Sequence, residues 1–202
     1  MKRLYQENQF YELQARLEGH SLVAGIDEAG RGPLAGPVVA AAVILPEHSV
    51  LPGVKDSKKM SEKAREEAFS LIKHAAIGIS LAVVSPQDID NGNILQATQK
   101  AMKEAVLMLD PQPDYLLIDG ISPIDLHIHQ RCIIRGDTLS LSVSAASVLA
   151  KVYRDSIMYS YHSVYPQYGF SSNKGYGTPA HLKAITSYGP CHIHRLTFKG
   201  VL

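Results

Sequence analysis

The chain has 202 residues, of which 46% are apolar, and its formal net charge is +1. This length fits one domain over 1–202, the apolar content is that of an ordinary packed core, and the charge alone indicates no partner. Two cysteines without a CxxC motif fit reduced thiols better than a disulfide framework, and the N-terminus lacks the apolar segment of a signal peptide. The longest apolar run, 38–45, is far too short to span a bilayer. We therefore expect a soluble, cytoplasmic monomer with no membrane partner.

The N-terminal half of the chain alternates between helical and extended patterns. A short polar helix is predicted over 1–18. Apolar runs in this half predict three strands, over 22–26, 37–45 and 77–84. The eight residues between Glu28 and Pro37 are rich in glycine and proline, so we expect a hairpin-like connection there. Ser61 is typical of a helix N-cap and predicts a helix that ends near His74.

The C-terminal half continues this alternation. Asn93 opens a helix whose apolar residues recur every three or four positions as far as Leu109. Apolar runs predict two further strands, over 115–118 and 131–134. Gly136-Asp137 precedes a long helix to about residue 162, and the small side chains of its first turns would let it lie close against a sheet. A loop rich in tyrosine and glycine is predicted over 163–178, before a short last helix that starts near Pro179.

The element order β-β-α-β-α-β-β-α predicts an α/β fold with a mixed sheet flanked by helices. Residues 163–202 form a basic loop and helical C-terminal part of this domain. Residues 131–202 hold eight Lys or Arg against two acidic residues. This basic C-terminal third could meet a polyanion, or it could be no more than a solvated face.

The segment 25–36, GIDEAGRGPLAG, places two adjacent acids in a glycine-rich loop. Its glycine spacing approaches that of a phosphate-binding P-loop, but it lacks the Lys and the Ser or Thr, and a strand rather than a helix follows. Nucleotide binding of that type is therefore excluded. Backbone amides of Gly30 and Gly32 can still donate to an anion or a sugar hydroxyl. The alternative is that these glycines only shape a turn.

Four acids lie at element boundaries. Asp27 and Glu28 follow an apolar strand, Asp119 ends another, and Asp137 precedes the long helix. Half-buried carboxylates need partners, and two divalent cations held by such acids can bind one scissile phosphate and activate water. Two alternatives remain open: Arg31 could form a structural ion pair with the first two acids, and Asp137 could be a helix N-cap.

Other polar features are less specific. The charged stretch 55–59, KDSKK, predicts a phosphate contact through Ser57 and Lys58, although such runs are often solvated. Tyr176 lies between glycines in a basic neighbourhood, where its ring could stack on a base or a sugar, or simply lie on the surface. Two H-x-H pairs have no Cys or Glu cluster nearby, which disfavours zinc, and no serine lies in a G-x-S-x-G motif.

Taken together, these motifs resemble ribonuclease HII. The matching segments run in the family's order from residue 25 to 195: Gly25–Pro37, Asp56–Lys59, Leu117–Gly120, Gly136-Asp137, Ala145–Val152, Arg154-Asp155, Asn173–Thr178 and His194-Arg195. The resemblance implies a ribonuclease H-like mixed five-stranded sheet flanked by helices, with a helical C-terminal extension. It also implies a metal-dependent endonuclease that acts on RNA–DNA hybrids and on DNA duplexes containing ribonucleotides.

The resemblance assigns roles residue by residue. The ligands of two Mg²⁺ or Mn²⁺ ions, and the catalytic residues, would be Asp27, Glu28, Asp119 and Asp137. Gly30, Arg31 and Gly32 would contact the ribose 2′-OH, which separates RNA from DNA. Tyr176 would pack against the sugar after the ribonucleotide and so sense the RNA-to-DNA junction. Cleavage 5′ to a ribonucleotide would leave 3′-hydroxyl and 5′-phosphate ends.

Two other functions fit the same pattern of acidic and basic residues. One is a nuclease of the same fold that cuts ribose-free DNA, such as a junction resolvase or an integrase-type enzyme. The other is a non-catalytic nucleic-acid-binding module, whose acids would be structural. The basic C-terminal third suits both.

Overall fold

The computed structural model describes residues 8–54, 57 and 60–202. In this part of the chain the strands are β1 (Val23–Ala29), β2 (Val38–Ile44), β3 (Gly78–Val84), β4 (Tyr115–Asp119) and β5 (His129–Ile133). The helices there are α1 (Phe10–Leu17), α2 (Glu62–Ala75), α3 (Pro86–Asn91), α4 (Ile94–Leu107), α5 (Gly136–Leu139), α6 (Leu141–Val164), α7 (Phe170–Asn173) and α8 (Pro179–Tyr188).

The five strands form one mixed sheet in the order β3-β2-β1-β4-β5. Strand β2 pairs antiparallel with both β1 and β3, whereas β4 pairs parallel with both β1 and β5. The mixed five-stranded sheet flanked by helices is the predicted fold class, which is confirmed. The hairpin-like connection between β1 and β2 is also confirmed, because these strands pair antiparallel.

Helices cover both faces of the sheet. On one face, Ala40 and Ala42 of β2 pack in a buried cluster with α4. On the other face, Ala41 and Val43 pack with α2 and α6. Because β2 is buried on both faces, its sequence is a continuous apolar run rather than an alternating one.

Helix α6 approaches β1 closely enough that the two backbones touch. A Cβ atom added to Gly25 would overlap the backbone of Ser142. Only glycine on the strand and small residues on the helix allow this approach, as the small side chains of the predicted helix indicated. The contact holds the start of α6 against the strand that carries the first two acids.

Several predicted boundaries are corrected. The single helix expected after residue 136 is two helices, because Ser140 is extended (φ −127°) and serves as the N-cap of α6. The loop expected over 163–178 contains a 3-10 turn and α7, since the buried rings of Tyr168 and Phe170 stack at 5.4 Å and order the segment. Helix α3 was not predicted, although Ser85 caps it and Pro86 occupies its first turn.

The predicted N-terminal helix is α1, and residues 1–7 of that prediction lie outside the described residues. Among the helices of the described chain, none combines the length and the apolar character needed to cross a membrane.

Candidate active site

The parallel pairing of β1 and β4 places two of the predicted acids side by side. Ile26 pairs with Ile118, so Asp27 and Asp119 occupy the next positions at the carboxyl ends of the two strands. This end of parallel strands is where sites of α/β proteins collect. Glu28 follows directly, and its carboxylate is close enough to that of Asp119 for each charge to be felt by the other.

A hydrogen bond between the residue before Asp137 and Asp119 places the fourth acid beside β4. The backbone N–H of Gly136 donates to Asp119 Oδ1 at 2.7 Å, which fixes the start of α5 beside β4. Asp137 is the next residue; it is buried, and its carbonyl accepts a hydrogen bond from Ser144 Oγ at 2.7 Å. The N-cap alternative for Asp137 is wrong, because Ser140 caps the long helix. The structure thus brings the four acids to one edge of the sheet, here called the acidic edge: Asp27, Glu28, Asp119 and Asp137.

Asp27 is buried beside other negatively charged side chains of the acidic edge. It is only 2% exposed; its Oδ1 accepts the backbone N–H of Glu28 at 2.7 Å, and its Oδ2 has no hydrogen-bond partner in the described chain. Burial raises the pKa of Asp27 well above its ordinary value, the charges of Glu28 and Asp119 raise it further, and hydrogen bonding to Ser147 and to the N–H of Glu28 only partly opposes the rise. A buried carboxylate in this situation lacks the counter-charge it needs.

Arg31 provides part of that counter-charge, but only to Glu28. Its Nη1 lies 3.4 Å from Glu28 Oε1, and half of the arginine side chain is exposed. Burial raises the pKa of Glu28, Arg31 opposes this rise, and Asp119 adds to it. The structural ion pair considered from the sequence is therefore present, but an exposed pair of this kind contributes little and leaves Asp27 uncompensated.

The donor chemistry of the acidic edge fits a hard divalent cation, because carboxylate oxygens are the ligands that Mg²⁺ and Mn²⁺ prefer. The side chains themselves are not drawn together around one point. Within the described residues, which include all four acids, no three His, Cys, Asp or Glu side chains are grouped as ligands of one ion. The unpartnered Oδ2 of Asp27 is the observation that fits a cation.

A cleft of about 190 Å³ adjoins the acidic edge at Glu28. Its lining is formed by Glu28, Ala29, Gly30, Arg31, Gly32, Ser57, Ser147, Lys151, Arg154 and Tyr176. The predicted substrate residues are thus brought together, except Lys58, which lies outside the described residues. Ser57 is buried, and its hydroxyl forms a 2.9 Å hydrogen bond with that of Ser147. Tyr176 is 45% exposed, and a Cβ added to Gly32 would lie 3.7 Å from Cε1 of its ring.

Two buried arginines hold residues 30–37, here called the glycine loop. Arg195 donates to the carbonyl oxygens of Gly30 (2.6 Å), Arg31 (3.0 Å) and Gly36 (2.8 and 3.0 Å). Arg154 donates to the carbonyls of Ala35, Pro37 and Lys174 at 2.9–3.0 Å. Burial lowers the pKa of Arg195 to about 9, which still leaves it charged at neutral pH.

Gly30 is required by this arrangement. Its φ of +100° lies in the region that glycine favours, and a Cβ there would overlap the side chain of Arg154. In a planar trans peptide the N–H points opposite to the C=O. Since the carbonyls of Gly30 and Arg31 face Arg195, the N–H groups of Arg31 and Gly32 point away from it.

Sequence reasoning assigned no role to three residues that shape this cleft: Lys151, Arg154 and Arg195. Ser147, Lys151 and Arg154 recur at helical spacings of four and three, which places them on one side of α6, and this spacing was a usable signal. Lys151 Nζ lies 2.8 Å from Asp155 Oδ1, and burial lowers the pKa of Lys151. No local pattern could have revealed Arg195, because it is 159 residues from Gly36 in the chain.

A larger groove, of about 850 Å³, lies between α2, α6 and α7. Its charged lining residues are Arg65 and the acids Glu62, Glu66 and Asp155. An acidic lining of this kind repels a polyanion, so size does not make this groove the better candidate for a nucleic-acid site.

Comparisons with known proteins identify the family and the fold. A family model described as Ribonuclease HII matches residues 24–201. The chain is similar to ribonuclease HII of Geobacter sulfurreducens, with 54% identity over 191 residues that cover 95% of this chain and 88% of that protein. The ribonuclease H2 structure from Pyrococcus horikoshii OT3 matches with a TM-score of 0.76 and 26% identity over 89% of this chain and 94% of that one. Bst-RNase HIII in complex with Mn²⁺ matches with a TM-score of 0.71 over 96% and 72% of the two chains; at 18% identity this likeness shows the fold alone.

Proposed function

Because the chain belongs to the ribonuclease HII family and is accordingly an endoribonuclease, we propose that it hydrolyses the RNA strand of RNA–DNA hybrids and also cuts 5′ to ribonucleotides embedded in duplex DNA. The observation that carries this proposal is the meeting of the acidic edge with the glycine loop in one cleft. Products would carry 3′-hydroxyl and 5′-phosphate ends. We also propose that it acts as a monomer.

The electrostatics of the acidic edge support metal dependence. Asp27, Glu28, Asp119 and Asp137 would repel the phosphate of a substrate unless a cation neutralised them. We propose that these four acids hold Mg²⁺ or Mn²⁺, which when bound supplies Lewis acidity toward the scissile phosphate and a more acidic water. The raised pKa of Asp27 supports this assignment, since a divalent cation is the counter-charge that the buried carboxylate lacks.

The glycine loop would recognise the ribose. Arg195 holds the carbonyls of Gly30 and Arg31, so the N–H groups of Arg31 and Gly32 point away from it. Because residues 30 and 32 are glycines, neither has a side chain that could block access to these N–H groups. Backbone donors in such a turn suit a 2′-hydroxyl, the group that distinguishes RNA from DNA. Tyr176, beside Gly32, would pack on the next sugar, and Ser57 with Lys58 would approach the phosphate backbone.

The test uses three end-labelled duplexes: all DNA, DNA with one ribonucleotide, and a full RNA–DNA hybrid. Each is incubated with the protein in Mg²⁺, in Mn²⁺ and in EDTA. We expect cuts in the second and third duplexes only, with either metal and not with EDTA. Cleavage of the all-DNA duplex would favour a DNA nuclease of the same fold, and an absence of metal-dependent cleavage of any duplex would favour a binding module.

A further inference from the structure

Two buried histidines, His181 of α8 and His194, link the backbone of Tyr176 to that of Cys191. His181 Nδ1 lies 2.8 Å from the carbonyl oxygen of Tyr176, and its Nε2 lies 3.0 Å from His194 Nε2. On the far side, the backbone N–H of Cys191 donates to His194 Nδ1 at 2.9 Å, and the Cys191 thiol, which can also donate, has its Sγ 3.2 Å from the same nitrogen. His181 is 0% exposed and His194 is 2% exposed, so bulk solvent does not reach these contacts.

The partners at the two ends determine where every proton in this chain of contacts lies. A carbonyl oxygen only accepts, so His181 Nδ1 carries a proton and donates to Tyr176. A backbone N–H only donates, so His194 Nδ1 carries none. The proton between the rings then belongs to His194 Nε2 and is donated to His181 Nε2. Both rings are neutral, in opposite tautomers.

The surroundings favour this neutral state. The rings of Tyr168 and Phe170 pack against the pair, with Tyr168 4.8 Å from His194 and Phe170 5.4 Å from His181. Burial lowers the pKa of both histidines, to about 4 for His194, where proximity to His181 lowers it further. A third proton would also direct two N–H groups at each other. The donor to Tyr176 is therefore present throughout the neutral pH range.

The backbone next to Tyr176 and the backbone next to His194 both form hydrogen bonds with the glycine loop. The carbonyl of Gly175 accepts from the N–H of Leu34 at 2.8 Å, and the N–H of Arg195, next to His194, donates to the carbonyl of Leu34 at 2.9 Å. The carbonyl of Tyr176 also accepts from the N–H of Thr178 at 2.8 Å, so His181 occupies its second lone pair. The side chain of His181 thus joins the backbone of Tyr176 to the buried ring of His194.

We propose that His181 is a positioning residue, which through its Nδ1–H fixes the backbone of Tyr176 and hence the distance between the tyrosine ring and the glycine loop. His194 acts one step further away, by setting the tautomer of His181. The pair determines specificity rather than chemistry: it affects the substrates that need the tyrosine at the junction more than those that do not. This inference rests on the junction-sensing role proposed above for Tyr176.

Two substitutions of His181 distinguish a positioning role from a role in packing alone. In His181→Asn the side-chain amide nitrogen is as many bonds from Cα as Nδ1, so it can still donate to Tyr176. In His181→Gln the amide lies at the position of Nε2, so the ring contact can be kept while the donor to Tyr176 is lost. Both remove the imidazole, and both are assayed well below their own unfolding temperatures.

The readout is the ratio of kcat/KM for the single-ribonucleotide duplex to that for the full hybrid. We expect the ratio for His181→Gln to fall about tenfold below that for His181→Asn, which corresponds to ~1.4 kcal/mol, the size of one buried hydrogen bond. Equal ratios in the two variants, in a protein whose Tyr176→Ala variant is selectively impaired, would overturn the positioning role while leaving the proposed function intact.

A second measurement does not depend on activity. Long-range ¹H–¹⁵N spectra of the wild-type protein at neutral pH should show His181 as the Nδ1–H tautomer and His194 as the Nε2–H tautomer. The opposite tautomers, or a protonated ring, would overturn the inference whatever the cleavage data show. Equal losses on both duplexes in Tyr176→Ala would instead refute the junction-sensing role of Tyr176 on which the inference rests, whereas failure of metal-dependent cleavage of any duplex would refute the proposed function.

Discussion

Replacing Asp27 by asparagine should stabilise the metal-free protein while abolishing cleavage. Asparagine has the shape of aspartate, and its side-chain oxygen can still accept the N–H of Glu28, which Asp27 Oδ1 accepts at 2.7 Å. The amide nitrogen would replace Oδ2, the buried atom that finds no partner in the described chain, and would turn a repelled oxygen into a donor toward the neighbouring carboxylates. The variant thus removes a cost to folding and a metal ligand together.

The size of the stabilisation follows from general magnitudes. Leaving a buried polar group unsatisfied costs about 1–3 kcal/mol. Unfolding 202 residues gains about 2.1 cal/mol/K per residue, or ~0.42 kcal/mol/K for the chain. Asp27→Asn should therefore raise the Tm by roughly 2–7 °C in EDTA at neutral pH.

The sign of the pH dependence can be stated as well. Because the pKa of Asp27 is raised in the folded state, ionisation of Asp27 lowers the free energy of unfolding, and this loss is complete above the folded pKa. The loss shrinks as the pH falls from the folded pKa to the ordinary carboxyl pKa, and is absent below it. The Tm difference between variant and wild type should shrink over the same range. Adding Mg²⁺ should raise the Tm of the wild type more than that of the variant, since a cation that binds only the folded state stabilises it by mass action.

Thermal melts followed by circular dichroism, in EDTA and in excess Mg²⁺ at several pH values, measure all three effects. Asp125→Asn is the matched control: Asp125 is a fully exposed acid paired with Lys103 at 2.8 Å, and its removal should change neither the metal response nor cleavage. An Asp27→Asn variant that melts at or below the wild-type temperature in EDTA at neutral pH would refute the electrostatic reasoning.

Three further substitutions test the cleft. Tyr176→Ala should reduce cleavage of the single-ribonucleotide duplex more than that of the full hybrid, as kcat/KM on the two substrates would show; equal losses would argue against junction sensing. Arg195→Lys should lower stability by about 2–4 kcal/mol and reduce cleavage, because an ammonium cannot reach the carbonyls that one planar guanidinium serves; an unchanged melt would contradict this. Gly30→Ala should be far more damaging than Gly53→Ala in the same melts, since both have positive φ but only the Cβ at position 30 would overlap another side chain.

The parts of the fold that depend on local pattern were predictable. Apolar runs located the five strands of the described chain, and capping residues located the helices capped by Ser61 and Asn93. The rule that sites gather at the carboxyl ends of strands predicted that Asp27 and Asp119 would meet if their strands were neighbours, and the parallel pairing of β1 and β4 confirms that they are. The resemblance to ribonuclease HII inferred from the motifs is confirmed by the family match over 24–201.

What could not be predicted depends on long-range packing. Nothing in the segment 163–178 indicates that Tyr168 and Phe170 would be buried against the C-terminal residues and fold part of a glycine-rich loop into helix. The contacts of Arg154 and Arg195 with the glycine loop join residues more than 100 positions apart. Such contacts leave no periodic trace in a single sequence, because the requirement falls on backbone carbonyls that every residue possesses.

The two buried arginines are engaged by backbone carbonyls of the glycine loop and Lys174 rather than by the acids of the acidic edge. The hydrogen bonds of both guanidiniums go to backbone carbonyl oxygens, which satisfy their geometry without neutralising their charge. Had either guanidinium been paired with Asp27, the carboxylate pKa would fall below its ordinary value rather than rise, and the acid would no longer favour an external cation. The carbonyls of the glycine loop thus engage both guanidiniums, and the N–H groups of Arg31 and Gly32 point away from Arg195, which is the arrangement that the proposed metal site and ribose contact require.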